Sequence, residues 1–249
     1  MRQARIVLVG TSHPGNIGSA ARAMKTMGLS RLCLVAPECD PHADEAHAMA
    51  AGADDLIRAA TVAPTLDPVL ADCTLVLGCT ARRRHVALPE FDAQSAAQRL
   101  VAELNDGGQV ALLFGRERSG LDNEELQRCH AAVHIPCDPA FSSLNLAAAV
   151  QVLSYELRRA ALAAAAEAAG PVEARRDPPA DQAELEGLFE HLDRALLAID
   201  FHKGRSPTTV MRRLRRLFLR ARLDAREVRI LHGILADAER MARLAAERG

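Results

Sequence analysis

Short apolar runs that alternate with helical patterns constrain the fold of this chain most strongly. Five runs of aliphatic and β-branched residues are typical of buried strands, at 5–10, 31–36, 74–79, 109–114 and 132–136. Helical patterns lie at about 17–27, 43–52, 92–106, 122–130 and 143–167. This alternation predicts an α/β fold, a parallel sheet flanked by helices on both faces. Ligands bind at the carboxyl ends of such strands, so the loops after residues 10, 79, 114 and 136 are the places to look for function.

Composition excludes several classes of protein. The chain has 249 residues, of which 49% are hydrophobic, enough for a sizeable buried core. No apolar run approaches the roughly 20 residues that cross a bilayer, so we expect no membrane association. The start, MRQARIVLVG, runs directly into a strand and predicts no signal peptide, which favours a cytoplasmic protein. The six cysteines form no CxxC pair, and no HExxH pattern occurs, so we expect reduced thiols and no metal.

The amino-acid composition changes at residues 169–181, where an alanine-rich helical pattern is followed by proline, glycine and charged residues. We therefore predict a domain at 1–168, a linker at 169–181 and a helical extension at 182–249. Helical patterns in the extension lie at about 182–203, 207–222 and 224–247. From Asp200 onward there are 13 lysines and arginines against 6 acidic residues, although the whole chain carries a net charge of −1. This asymmetry favours binding of a polyanion by the C-terminal part.

The stretch VMRRLRRLFLRAR has the pattern of an amphipathic helix. We expect a buried stripe on its apolar side, formed by Leu214, Leu217, Phe218 and Ala221. Four arginines occupy other faces: Arg212, Arg213, Arg216 and Arg220. Such a basic stripe suits a phosphate backbone, and the alternative is a solvated exterior paired with the acidic first domain.

The loop after the first strand, TSHPGNIGSAARAMKTMG, fits neither common nucleotide motif. It lacks GxGxxG, and it lacks the lysine of a Walker A loop. It predicts a turn that opens into a helix near residue 17, with Arg22 and Lys25 on the first turns. A helix start attracts anions, and the planar guanidinium of arginine suits a phosphate. The alternative is that both side chains are solvated surface charges.

Two further loops follow strands and carry polar groups. In FGRERSGLDNEEL, Arg116, Glu117 and Arg118 precede a helix that Asp122 caps, and the alternative to a functional loop is a surface ion pair. In FSSLN, a serine caps the following helix or the segment forms a polar pocket. The stretches LGCTAR and ARRRH add small residues and a basic cluster, which a simple turn or a solvated loop explains equally well. No GxSxG nucleophile motif is present.

Taken together, three stretches resemble the SPOUT class of S-adenosylmethionine-dependent RNA methyltransferases. They are TSHPGNIGSAARAMKTMG, FGRERSGLDNEEL and IP…FSSLNLAAAVQVLSYE, within residues 5–157. They are most similar to the TrmJ type, which methylates the ribose 2′-oxygen of tRNA nucleotide 32, and MRRLRRLFLRARL resembles the helical extension of that type. The resemblance implies that the sheet domain ends in a trefoil knot and that the protein is a homodimer that binds tRNA. General rules of topology would not predict the knot.

The resemblance also implies roles for individual residues. Arg22 would meet the RNA across the dimer interface, acting as a base or as a phosphate clamp, while Asn16, Glu117 and Ser142 would orient the reacting groups. S-adenosylmethionine, released as S-adenosylhomocysteine, would contact Cys79, Thr80, Ala81, Gly115, Ile135, Ser142, Ser143, Leu144 and Asn145. Contacts to RNA would come from Arg22, Lys25, Arg82, Arg83, Arg84, Arg116, Arg212, Arg213, Arg216 and Arg220.

Three other functions remain as alternatives at this stage. A SPOUT methyltransferase of another tRNA position or of ribosomal RNA would carry the same sheet-domain motifs. A non-catalytic RNA-binding protein on the same scaffold is disfavoured by Arg22, Gly115 and the SSLN stretch. An enzyme that uses a dinucleotide is disfavoured by the missing fingerprint.

Overall fold

The computed structural model of the protein describes residues 3–81, 88–138, 140–141, 144–167, 178–204 and 206–247. The chain divides into two compact units, Met1–Ala174 and Arg175–Gly249. The predicted linker, 169–181, lies mostly outside the described residues, and its exact bounds stay a prediction.

A parallel sheet forms the centre of the first unit. The strands found among the described residues are β1 (Arg5–Val9), β2 (Arg31–Val35), β3 (Thr61–Ala63), β4 (Leu75–Cys79), β5 (Glu90–Asp92), β6 (Val110–Phe114) and β7 (Ala131–His134). Their order is β3-β2-β1-β6-β4-β7-β5, and each neighbouring pair is parallel. The predicted parallel sheet is therefore confirmed. The edge strands β3 and β5 were not predicted, because each is short and mostly exposed and so lacks an apolar run.

Helices cover both faces of this sheet. In the first unit they are α1 (Pro14–Thr26), α2 (Asp44–Ala50), α3 (Asp54–Arg58), α4 (Asp67–Leu70), α5 (Ala93–Asn105), α6 (Asn123–Gln127) and α7 (Leu146–Glu167). Successive strand residues point to opposite faces, so Ile6 and Leu8 join one apolar core while Val7 and Val9 join another. Nowhere in the described ranges is a helix both long and apolar enough to span a bilayer.

Helix α1 begins at Pro14, earlier than the predicted start near residue 17. Proline suits the first helical position because its missing N–H would have no partner there. Further along, Gly18 lies against the backbone of α2: a Cβ at this position would stand 2.0 Å from the carbonyl oxygen of Ala46. Glycine therefore lets α1 and α2 touch backbone to backbone, which fixes the position of the turn that precedes α1.

The second unit consists of α8 (Gln182–Ala198), α9 (Pro207–Ala221) and α10 (Ala225–Ala246). Its core includes Phe189 of α8, Leu219 of α9 and Val228 of α10. The predicted apolar stripe of α9 was partly wrong, since Leu217 is 46% exposed and Ala221 is exposed as well, whereas Leu219 is buried. The reason is Arg215, whose guanidinium lies 4.4 Å from the centre of the Phe189 ring, so α9 turns a different side toward α8.

Candidate active site

A cavity of about 420 Å³ opens at the carboxyl ends of β4, β6 and β7. These strands are neighbours, because β4 pairs with both β6 and β7 in parallel register. The loops that follow them therefore meet at one edge of the sheet, as predicted for this kind of fold. The cavity has the size of an ordinary small-molecule site.

Most of the residues expected to contact the methyl donor line this cavity. Those in its wall are Cys79, Thr80, Ala81, Gly115, Ile135 and Leu144. Asn145 lines a neighbouring cavity instead, and Ser142 and Ser143 lie outside the described residues. The wall contains further residues that the sequence did not single out, among them Phe114, Cys137 and Leu146. Donor binding by each of these residues stays a prediction.

The loop after β6 folds back on itself and forms one side of the cavity. A Cβ on Gly115 would stand 2.1 Å from the backbone of Gly120, so only glycine permits this turn. The backbone N–H of Gly120 donates to the carbonyl of Arg116 at 2.8 Å. The Arg116 guanidinium donates to both oxygens of Glu125, at 3.0 and 3.1 Å. In this structure the Arg116 side chain is bound to α6. Its expected contact with RNA stays a prediction.

A chain of hydrogen bonds joins the loops after β1 and β6 to the start of α7. Glu117 accepts from the Asn16 side-chain amide at 2.9 Å and from the Ser12 hydroxyl at 3.0 Å. Asn145 donates to the side-chain oxygen of Asn16 at 3.0 Å. The oxygen of Asn145 in turn accepts from the backbone N–H of Ala147 at 2.9 Å, so this residue caps α7. Residues far apart in sequence are thereby held in one polar cluster.

The ionisation states of the site exclude some roles. Burial raises the pKa of the Glu117 carboxyl, but the hydrogen bonds from Asn16 and Ser12 outweigh it, and the pKa lies below its ordinary value. Glu117 is therefore a carboxylate at neutral pH and a weak base. Burial raises the pKa of the Cys79 thiol to about 12, so this thiol stays protonated and is a poor nucleophile. Within the part of the chain that the structure describes, no three His, Cys, Asp or Glu residues are grouped to hold a metal ion.

The two cations predicted on α1 have different surroundings. Lys25 donates to Asp55 at 2.7 Å and to the carbonyl of Gly52 at 2.9 Å. Arg22 is exposed, and its guanidinium has no ion-pair partner among the described residues. Of the other basic residues expected to bind RNA, Arg82, Arg83 and Arg84 lie outside the described residues. The four arginines of α9 are exposed: Arg212, Arg213, Arg216 and Arg220.

Comparison with known families and proteins shows which proteins this chain is similar to. Residues 3–155 match the model of the SpoU rRNA methylase family, and residues 183–247 match the C-terminal domain of the tRNA methyltransferase TrmJ. The chain belongs to the SpoU methylase family. The SpoU match covers β1 to α7 up to residue 155, and hence every loop that lines the cavity or forms the polar cluster. The expectation of a methyltransferase of the TrmJ type is thus confirmed.

Relatives within the SpoU methylase family are similar over nearly their whole length. A Pseudomonas aeruginosa protein named tRNA (cytidine/uridine/adenosine-2′-O-)-methyltransferase TrmJ is 49% identical, with 96% of this chain and 95% of that protein covered. The Escherichia coli K12 protein named tRNA (cytidine/uridine-2′-O-)-methyltransferase TrmJ is 50% identical, with 96% of both covered. The crystal structure of TrmJ from Z. mobilis ZM4 superposes with a TM-score of 0.80 at 35% identity, covering 95% of this chain and 99% of that one.

Ser12 is the member of the polar cluster that sequence reasoning missed. Its backbone N–H lies 3.3 Å and its hydroxyl 3.0 Å from the same oxygen of Glu117. The sequence could have indicated Ser12 by its position. It lies four residues before Asn16, in the loop at the carboxyl end of β1, where ligand-binding loops are found in such sheets.

Proposed function

We propose that this protein transfers the methyl group of S-adenosylmethionine to the ribose 2′-hydroxyl of nucleotide 32 in the anticodon loop of tRNA. The observation that carries the proposal is the polar cluster of Ser12, Asn16, Glu117 and Asn145 beside a cavity of about 420 Å³. Membership of the SpoU methylase family and two relatives about half identical, both named tRNA 2′-O-methyltransferases, support the reaction and the tRNA substrate.

The cavity wall suits the methyl donor. Thr80, Ala81 and Gly115 are small, so backbone amides are accessible to a polar ligand, while Ile135 and Leu144 offer apolar surface. Bound there, S-adenosylmethionine supplies a methyl group on a positively charged sulfur, which is already a good electrophile. We propose that these residues position the donor, and that positioning contributes much of the acceleration.

In this mechanism Glu117 orients the ribose hydroxyl and does not remove its proton. Three donors from Ser12 and Asn16 hold its carboxylate, and its lowered pKa makes it a poor proton acceptor. Asn16 is fixed between Glu117 and Asn145, so its amide cannot turn freely. The cluster thus offers a rigid edge against which a ribose hydroxyl is aligned.

Arg22 binds phosphate in the proposed mechanism. Its guanidinium is exposed, and arginine remains charged at any pH of interest, so it is a poor base. A phosphate held beside the ribose lets the positive charge lower the pKa of the hydroxyl. Arg22 follows Asn16 by six residues, about one and two-thirds turns of α1, so the two side chains lie on different faces of the helix. We propose that the protein is a homodimer in which Arg22 of one protomer serves the site of its partner.

The remaining parts of the proposal concern topology and affinity. We propose that the segment from β6 to α7 forms a trefoil knot, which is supported by the match of residues 3–155 to the SpoU methylase family. The exposed arginines of α9 bind the tRNA backbone. A protein that acts on tRNA is expected in the cytoplasm.

A single-atom change in the substrate tests the proposal. Tritiated S-adenosylmethionine is incubated with the protein and with two unmodified tRNAs, which differ only in a 2′-deoxyribose at nucleotide 32. The proposal predicts labelling of the all-ribose tRNA and background labelling of the deoxy tRNA. Equal labelling of both would place the methyl group elsewhere, and no labelling of either would contradict the proposed reaction on tRNA.

A further inference from the structure

A second cavity, of about 390 Å³, lies between the start of α1 and helix α2. Its wall consists of His13, Gly15, Asn16, Ser19, Glu45, Met49 and Asn145. Asn16 and Asn145 belong to the polar cluster, and Glu117, which accepts from Asn16, lines the first cavity. The two cavities therefore lie on either side of the same hydrogen-bonded side chains.

The charge in this second cavity disfavours a phosphate. A side-chain oxygen of Glu45 lies 2.7 Å from the point where a Cβ of Gly15 would stand, at the first turn of α1. The N-terminus of a helix attracts anions, and here a carboxylate already lies against it. A phosphate in the same cavity would be repelled by Glu45.

The rest of the wall suits a flat heterocycle with a hydrogen-bonding edge. Met49 contributes an apolar side chain that is 49% exposed. Asn16, Asn145 and Ser19 carry amide and hydroxyl groups, and Glu45 carries an acceptor. Apolar surface together with a few polar groups is the usual composition of a site for a small ring.

We propose that this second cavity receives the base of the nucleotide that is methylated, and that Glu45 favours bases with an exocyclic amino group. The inference rests on the proposed function, since a ribose aligned on Asn16 and Glu117 leaves its attached base in the adjoining cavity. A carboxylate accepts a hydrogen bond from the amino group of cytosine. Uracil presents an oxygen at the same position, and two acceptors do not bond. Glu45 is thus a specificity-determining residue that favours cytidine over uridine.

A competition experiment tests the role of Glu45. Two tRNAs that differ only in cytidine or uridine at the acceptor position are mixed in one tube and methylated, and mass spectrometry measures the ratio of the two kcat/KM values. In Glu45→Gln the cytidine-to-uridine ratio is expected to fall by about fivefold or more, since the glutamine amide can accept from the cytosine amino group or donate to the uracil oxygen and so no longer discriminates between the bases. The matched control is Asp44→Asn, a neighbouring exposed acidic residue of α2 outside the cavity wall, for which the ratio is expected to stay unchanged.

The outcomes separate this inference from the proposed function. Because both substrates compete for the same enzyme, a partly unfolded variant does not alter the ratio. An unchanged ratio in Glu45→Gln would overturn the base site while leaving the methyltransferase intact. Equal acceleration on both tRNAs with a changed salt dependence would also overturn it, because it would indicate phosphate in the cavity. A wild-type protein that methylates neither tRNA would instead overturn the proposed function.

Discussion

Replacement of Asn16 by aspartate places a second carboxylate against Glu117. The two side chains are 2.9 Å apart, and the substitution changes one amide nitrogen to an oxygen with almost no change of shape. At an effective dielectric constant of about 20, two like charges at this distance repel by roughly 6 kcal/mol before screening by solvent. Solvent reaches this half-buried pair and screens part of the repulsion, so we expect a smaller but clear rise in the pKa of one of the two carboxyls, because each disfavours the charged form of the other.

The sign of the effect follows from this raised pKa. Below it the pair shares one proton and is stable, whereas above it both groups are charged and the folded state is destabilised. The loss of unfolding free energy relative to the wild type is therefore expected to be roughly 1–3 kcal/mol larger at pH 8.5 than at pH 5.5. That difference corresponds to about 2 °C or more in the midpoint of thermal unfolding.

Thermal unfolding of the wild type and of Asn16→Asp, at both pH values, measures this difference directly. The matched control is Asn123→Asp, the same chemical change at an exposed residue in the first turn of α6, for which the effect should be equal at both pH values. An Asn16→Asp variant whose midpoint shifts by the same amount at pH 5.5 and 8.5 would refute the contact between Asn16 and Glu117.

Three further predictions follow from the same structure. Arg22→Lys is expected to lower kcat by tenfold or more (about 1.4 kcal/mol or more), because lysine lacks the planar guanidinium; steady-state kinetics with a retained rate and pH profile would contradict a specific role. Protonation of Glu117 should not lower the wild-type rate between pH 7 and 5, because its lowered pKa keeps the carboxyl ionised there. A wild-type rate that falls in this range, in a pH–rate profile where Glu117→Gln shows no such fall, would contradict this. Gly18→Ala should lower the free energy of unfolding by about 1–3 kcal/mol, because the added Cβ would collide with the backbone of Ala46. The control Gly233→Ala has open space around the added Cβ and should raise the free energy of unfolding by up to about 1 kcal/mol. A denaturant titration of both variants measures these changes.

The central sheet was predictable because each of its inner strands is a continuous apolar run. β1, β2, β4, β6 and β7 are buried on both faces, and that burial is visible in the sequence. The edge strands are three residues long and largely exposed, so they carry no such pattern. Their position depends on pairing with β2 and β7, which is a tertiary effect.

The loops of the candidate site were predictable, but their contacts were not. Strand ends marked the loops that hold Asn16 and Glu117, yet 101 positions separate these two residues. No local pattern encodes a hydrogen bond over that distance. The capping role of Asn145 also emerged from the structure, since the predicted cap was Ser142 or Ser143 and α7 begins at Leu146. The buried side of α9 differed because Arg215 competes for the face that meets α8.

In the proposed function this protein methylates one ribose of tRNA. The most direct measurement is to incubate it with S-adenosylmethionine and unmodified tRNA, digest the RNA, and map 2′-O-methyl nucleosides to fragments by mass spectrometry. We expect a single methylated ribose, in the anticodon-loop fragment at nucleotide 32. A methyl group on a base, or on a ribose outside the anticodon loop, would contradict it.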